Sequence, residues 1–165
     1  MKHERLKTKD CQGQFLLEAM VALGIIIIGL LSIFAFIGRS LSLNRVVADQ
    51  LTGSYLAAEG VEVVKNILDG NILRGQPWNS GMGSGNFELD YTSPSLVPDQ
   101  GRRLSFDGQT GRWGYNAATP TNFSRTVRIR MIDSDEIRVN SIVRWASRGG
   151  NYTVDVEDHF YNWRR

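Results

Sequence analysis

Cysteine is almost absent: Cys11 is the only one in 165 residues. An intramolecular disulfide is excluded, and so is a metal site built from several thiolates. Any exported domain here must therefore hold by packing. Histidine is nearly as scarce, with His3 and His159 alone. His159 lies beside Asp158, but nothing around it has the spacing of a nucleophile elbow or another catalytic arrangement. Lysine is missing beyond Gly13 except for Lys65. An excess of one charge is lacking too: past Gly13 the chain carries 15 basic and 15 acidic residues, so the net +2 belongs to the first thirteen residues. Neutralising a phosphate backbone needs a surplus of Lys and Arg on one face, so a basic nucleic-acid binder is not expected. Gly81, Gly83 and Gly85 are not followed by Gly-Lys-Ser/Thr, which leaves no phosphate loop. No enzyme activity, cofactor or metal is expected.

What the chain has in quantity is one apolar run. Residues Phe15–Ile37 read FLLEAMVALGIIIIGLLSIFAFI, with Glu18 the only charged side chain. As a helix this run covers roughly 30 Å or more, enough to cross the hydrocarbon core of a bilayer. A removable secretory signal has a shorter apolar stretch and a small-residue cleavage site, whereas this one continues to Gly38-Arg39. Lys2, Arg5, Lys7 and Lys9 crowd its amino-terminal side. By the positive-inside rule that end stays cytoplasmic and the carboxy-terminal part lies outside, an asymmetry that Arg39 and Arg45 weaken without reversing. A carboxylate deep in lipid costs about 2.5–3.5 kcal/mol on insertion scales, so Glu18 must lie near the membrane surface, be protonated or be paired.

Residues 13 to 18 read Gly-Gln-Phe-Leu-Leu-Glu, between a short basic leader and the apolar run. This segment resembles the signal of type IV prepilins and pseudopilins. The resemblance implies cleavage after Gly13 by a membrane prepilin peptidase, a new amino terminus at Gln14 that is N-methylated, and a fifth-position glutamate, Glu18, that acts in filament assembly. The family commonly begins its mature chain with phenylalanine; here Gln14 takes that place and Phe15 follows. The Leu-Leu-Glu start looks more like a minor pilin or pseudopilin than an abundant major pilin. The partners implied are other pilin or pseudopilin subunits, an inner-membrane assembly platform and membrane lipid. The implied location is the inner membrane, then a surface pilus or a periplasmic pseudopilus of a type II secretion-like system. Physically, cleavage exposes an α-ammonium beside an oily helix, and buried charges must be paired. In a stack of staggered helices, Glu18 of one subunit can meet the Gln14 amine of the next, an attraction that strengthens as water is excluded. The alternative from another class is a single-pass anchored extracellular binding domain that never polymerises.

The rest of the chain is expected to complete an α+β fold: a long helix, membrane-spanning in its first half and amphipathic in its second, packed on a carboxy-terminal antiparallel sheet. The expected divisions are leader 1–13, transmembrane helix 14–38, amphipathic helix 39–70, and loop plus sheet 71–165. The amphipathic stripe is predicted as Val47, Leu51, Tyr55, Ala58, Val61, Val64 and Leu68, with the helix ending at Asp69 before Gly70-Asn71. Gly53 and Gly60 mark either a bend or, at Gly60, a close sheet residue. Glycine, proline and serine between residues 74 and 101 predict a loop zone, interrupted by a strand at Asn86–Tyr91.

Leu104–Asp107 and Arg112–Tyr115 predict a hairpin around Gly108-Gln-Thr-Gly111. A longer hairpin turns at Asp133–Glu136. Phe123, Val127, Ile129 and Met131 face the core from one arm, and Ile137, Val139, Val143 and Trp145 from the other. A last strand carries Tyr152, Val154 and Val156. Arg128, Arg130, Arg138 and Arg144 take the opposite parity, where cross-strand pairing with Asp155 and Glu157 is expected, with an anion-binding patch as the alternative. Asp133, Asp135 and Glu136 read as a hairpin tip, since the glycine and later glutamate of a calcium loop are missing.

Overall fold

The computed structural model describes residues 11–116, 119–147 and 149–163. The leader therefore lies outside the described residues apart from its last three positions, and so does Arg148. Helix α1 covers Cys11–Leu73. Ile25–Ile28 is a β-branched run that favours helix poorly in water. In lipid, however, every backbone N–H and C=O needs an internal partner, and the helix supplies one. The chain divides into two units after Arg45. The first contains the apolar part of α1, where every residue from Gly13 to Ser40 is exposed except the half-buried Gly24.

In the second unit, Val46–Arg165, the rest of α1 packs on an antiparallel sheet, giving an α+β architecture. The strands are β1 (Gly85–Glu88), β2 (Val97–Pro98), β3 (Arg103–Asp107), β4 (Arg112–Gly114), β5 (Thr119–Met131), β6 (Glu136–Ser147) and β7 (Gly150–Tyr161). Strands β5, β6 and β7 form a long meander. The other edge of β5 is shared: β1 pairs with its end, Gly85 opposite Ile129, and β3 with its beginning, Arg103 opposite Ser124. Strand β2 extends β1, and β4 extends β3 as the expected hairpin.

Strand alternation places one parity of this sheet on the helix. Val61, Val63, Val64 and Leu68 pack with Leu89, Val127, Ile129, Ile137 and Val139. Leu56 and Ala57 pack with Leu104, Phe123, Val143 and Trp145. Both helix glycines lie against the sheet. A Cβ at Gly53 would stand 2.6 Å from Trp145 Cζ3, and one at Gly60 would collide with Ser141 Oγ. Close packing thus explains Gly60, as one of the two sequence readings held.

Three expectations are corrected. The buried stripe of α1 is Gly53, Leu56, Ala57, Gly60, Val61, Val64, Leu68 and Asn71, whereas Val47, Leu51, Tyr55 and Ala58 are exposed. Those four lie on the side of the helix away from the buried stripe, and of the expected series only Val61, Val64 and Leu68 are buried. The helix also continues past Gly70 to Leu73. Its end is set by Gly75 at φ +69°, with Gly75 N donating to Ile72 O (3.0 Å) and Gln76 N to Asn71 O (3.0 Å). This is the glycine-terminated double hydrogen bond that closes many helices. Asn71 is no stop: its buried amide donates to Trp78 O (3.1 Å) and Ser80 O (2.8 Å), tying the following loop to the helix. Finally, β1 stops at Glu88 because the Asp90 carboxylate turns the chain, accepting from Thr92 N (2.9 Å) and Thr92 Oγ1 (2.6 Å).

Candidate functional site

Gly13, Gln14 and Glu18 lie together near the head of α1, all exposed. A Cβ at Gly13 would meet nothing within 4 Å among the described residues. Helix geometry sets Gln14 and Glu18 one turn apart, about 6 Å of rise. Around Glu18 the surface is entirely oily: Phe15 is 76 % exposed, and Leu16, Leu17, Met20 and Val21 are exposed with it. This helix is long and apolar enough to cross a membrane.

Exposed apolar surface does not end with the first unit. Val47 (63 % exposed), Leu51 (56 %) and Tyr55 (70 %) continue on the side of α1 turned away from the sheet, with Ala58 beyond them. One turn later the same side becomes polar with Glu62, Lys65, Asn66 and Asp69, and Lys65 Nζ pairs with Glu62 Oε2 at 3.6 Å. The outward face thus changes character between Ala58 and Glu62.

The residue that sequence reasoning missed is Arg125. It shares the parity of Phe123, Val127 and Ile129, and it is 1 % exposed. Its Nη1 donates to Leu56 O (2.8 Å) and pairs with Glu59 Oε2 (3.1 Å), while Nη2 donates to Leu89 O. One planar guanidinium thus joins helix, sheet and loop, a task suited to Arg rather than Lys. Tyr115 Oη closes the group by donating to Arg125 O (3.2 Å); burial pushes its phenol up to about 12. The signal was present in the alternation: an arginine in a core register needs a carboxylate partner, and the half-buried Glu59 on α1 supplies it.

A fully buried carboxylate organises the loop zone. Glu88 accepts from Gln100 N (2.9 Å) and Arg102 N (2.7 Å), and its other oxygen pairs with Arg102 Nε (2.7 Å). Asp90 is pushed up by burial but pulled further down by hydrogen bonds from Thr92, Tyr115 and Ser93, so it stays below the usual carboxylate range.

On the solvent face of the sheet, no described arginine forms a close ion pair with Asp155 or Glu157, although, after the hydrogen bonds from Asn140 and His159, the charge of Arg138 also helps to hold the Glu157 carboxyl below its usual range. Asp155 Oδ1 and Glu157 Oε2 instead accept from the Asn140 amide, at 3.1 and 2.9 Å. Asn140 stands between the two rows on the intervening strand. His159 directs Nδ1 at Glu136 Oε1 (2.6 Å) and Nε2 at Glu157 Oε1 (3.3 Å). Those contacts, Glu136 before Glu157, raise its pKa above the usual 6.5. A carboxylate thus stands at each ring nitrogen. At the β5–β6 turn, Asp133 Oδ1 accepts from Asp135 N (2.8 Å) and Asp135 Oδ1 from Asn162 Nδ2 (3.1 Å), while Glu136 is taken up by His159. The three acids thus engage separate partners. Among the described residues, no group of three or more His, Cys, Asp or Glu is placed to hold a metal ion.

No protein-family model, curated protein or solved structure matches the chain. Class assignment beyond an α+β domain on a membrane-competent helix therefore rests on the chain's own residues.

Proposed function

We propose that this protein is a structural subunit of a type IV pilus or type II secretion-like filament, of the minor pilin or pseudopilin kind. It is cleaved after Gly13 and assembled through its amino-terminal helix. The observation that carries this reading is Glu18, the one charge in an exposed apolar helix, five positions beyond the proposed cut. A simple anchor has no use for a carboxylate there, and in lipid it is a burden. A stack of helices has a use for it, because the terminal amine of a neighbouring Gln14 neutralises it and fixes the stagger between copies.

The outward face of α1 adds a second support. Val47, Leu51, Tyr55 and Ala58 remain exposed in the extracytoplasmic unit, where water makes such a stripe unfavourable unless another surface covers it. The switch to Glu62 and Lys65 then gives the limit of helix-to-helix cover. The prepilin peptidase, an inner-membrane assembly platform, related subunits and lipid are the partners this reading requires. Gln14 is the proposed site of N-methylation.

The test is Glu18→Ala expressed beside the native assembly apparatus. The variant should be cleaved and held in the membrane as the wild type is, yet be depleted from sheared filaments. Incorporation at the wild-type level would remove the role given to Glu18 and leave the non-polymerising anchored domain as the better reading.

A further inference from the structure

We infer that the solvent face of the β5–β6–β7 meander is a contact surface for a second copy of this chain, the arginine row of one copy receiving the acidic row of the other. The inference goes beyond the filament reading and makes no use of Gly13 or Glu18.

Residues opposite one another in an antiparallel sheet share a face. Here the rows across three strands run Arg128, Asn140, Glu157, then Arg130, Arg138, His159, and on the other side Thr126, Ile142, Asp155. The face is therefore basic at Arg128 and Arg130 of β5 and Arg138 of β6, and acidic at Asp155 and Glu157 of β7, with Glu136 and His159 paired to each other between β6 and β7. Arg130 lies directly opposite Arg138, and like charges so placed destabilise a sheet. No described carboxylate comes within ion-pair distance of either one, although Arg138 is near enough to Glu157 to favour its charged form. Arg138 Nε is closed off from solvent without a hydrogen-bond partner among the described residues, while the residue as a whole is half-buried and so is still partly open on this face. On β7, Asp155 and Glu157 are exposed; the Asn140 amide reaches one oxygen of each and His159 Nε2 the other oxygen of Glu157, which leaves part of their accepting capacity open.

Charge complementarity identifies the occupant. A polyanion laid on the arginines would also lie over Asp155 and Glu157, and the chain past Gly13 has no surplus of positive charge to offset that. The partner must offer both signs a strand's width apart. The same face of a second copy does, turned so that its β7 covers the arginines. In a two-fold arrangement, that contact is made twice.

The experiment uses full-length protein in detergent, carrying Cys11→Ser and two different affinity tags. Wild-type copies should co-purify at low salt and lose that association at about 1 M salt, where the Debye length is about 3 Å. Asp155→Arg with Glu157→Arg makes the face predominantly basic, and Arg130→Glu with Arg138→Glu makes it predominantly acidic. Each double variant alone should fall at least about tenfold in co-purification, which corresponds to about 1.4 kcal/mol. Mixing the two should restore it, and restoration also shows that both are folded. In addition, Arg138→Cys on one tag and Glu157→Cys on the other should yield an oxidatively cross-linked pair.

Co-purification unchanged by either double variant, or not restored by mixing two variants of native fluorescence, would overturn the contact. So would wild-type association that requires added duplex DNA and disappears with nuclease, which would make nucleic acid the occupant. The measurement is made on uncleaved chain, so failure of the filament reading leaves its outcome unaffected.

Discussion

Replacing Arg125 by alanine tests how the Val46–Arg165 unit is held together. The guanidinium is fully buried and serves three acceptors at once: Leu56 O on α1, Leu89 O after β1, and the Glu59 carboxylate. Truncation leaves two carbonyls without their donor and a cavity where the side chain lay. Removing one partner of a buried ion pair costs about 3–5 kcal/mol. The Glu59 side chain is 31 % exposed and can regain water, which argues for the lower end of that range. Total stabilities of single domains are about 5–15 kcal/mol, so this loss is a large fraction. Urea unfolding of the full chain in detergent, followed by tryptophan fluorescence, should show the midpoint falling by about 1–3 M at an m-value of about 1–3 kcal/mol/M. Glu59→Gln keeps an acceptor near Nη1 and should cost about 1 kcal/mol, the size of an ordinary hydrogen bond. The reasoning is refuted if Arg125→Ala lowers stability by less than about 1 kcal/mol, since the network would then add little beyond a surface pair.

The remaining predictions concern packing and protonation. Gly60→Ala drives a methyl group into Ser141 Oγ and to 3.1 Å from Arg125 Cδ, so overpacking should destabilise by about 1–3 kcal/mol. Adding Ser141→Ala removes the nearest atom, and denaturation curves should show most of the loss recovered; no recovery would place the strain in the backbone. His159 binds its proton more tightly when folded than when unfolded, so its stabilising effect is complete below about pH 6.5 and is lost as pH rises through the higher folded value. Glu157 is shifted the other way, by Asn140 first and then His159, and its effect is lost as pH falls through its lowered value. An NMR titration should find the His159 midpoint above 6.5, and His159→Gln should flatten the alkaline side of the stability profile; a midpoint at or below 6.5 would contradict the clamp.

Elements with a single clear period were legible from sequence. The apolar run, the β3–β4 hairpin and the β5–β6 hairpin fall where alternation and turn residues place them. So does the core parity of Phe123, Val127, Ile129, Ile137, Val139, Val143 and Trp145. Past Arg45 the helix was misread because it carries two apolar stripes, and hydropathy alone does not say which one meets the sheet. Gly53 and Gly60 contained the answer: spaced by seven, they mark the face on which Trp145 and Ser141 come close. Arg125 escaped because a charge in a core register looks like an interruption until its partner is known, and Glu59 is 66 residues away. The helix end was missed by a few residues because Gly70 and Gly75 are equally plausible stops. Only the loop carbonyls held by Asn71 decide between them. Of the candidate site, the Gly13 to Glu18 spacing was visible from sequence, since it is local. The apolar-to-charged switch at Ala58 was not, because it depends on knowing the outward face.

The most direct test is mass spectrometry of the mature amino terminus in cells that carry a prepilin peptidase. The account requires a chain that begins at Gln14, with the thirteen leader residues gone. A protein that keeps Met1 through Gly13 while residing in the membrane would contradict it.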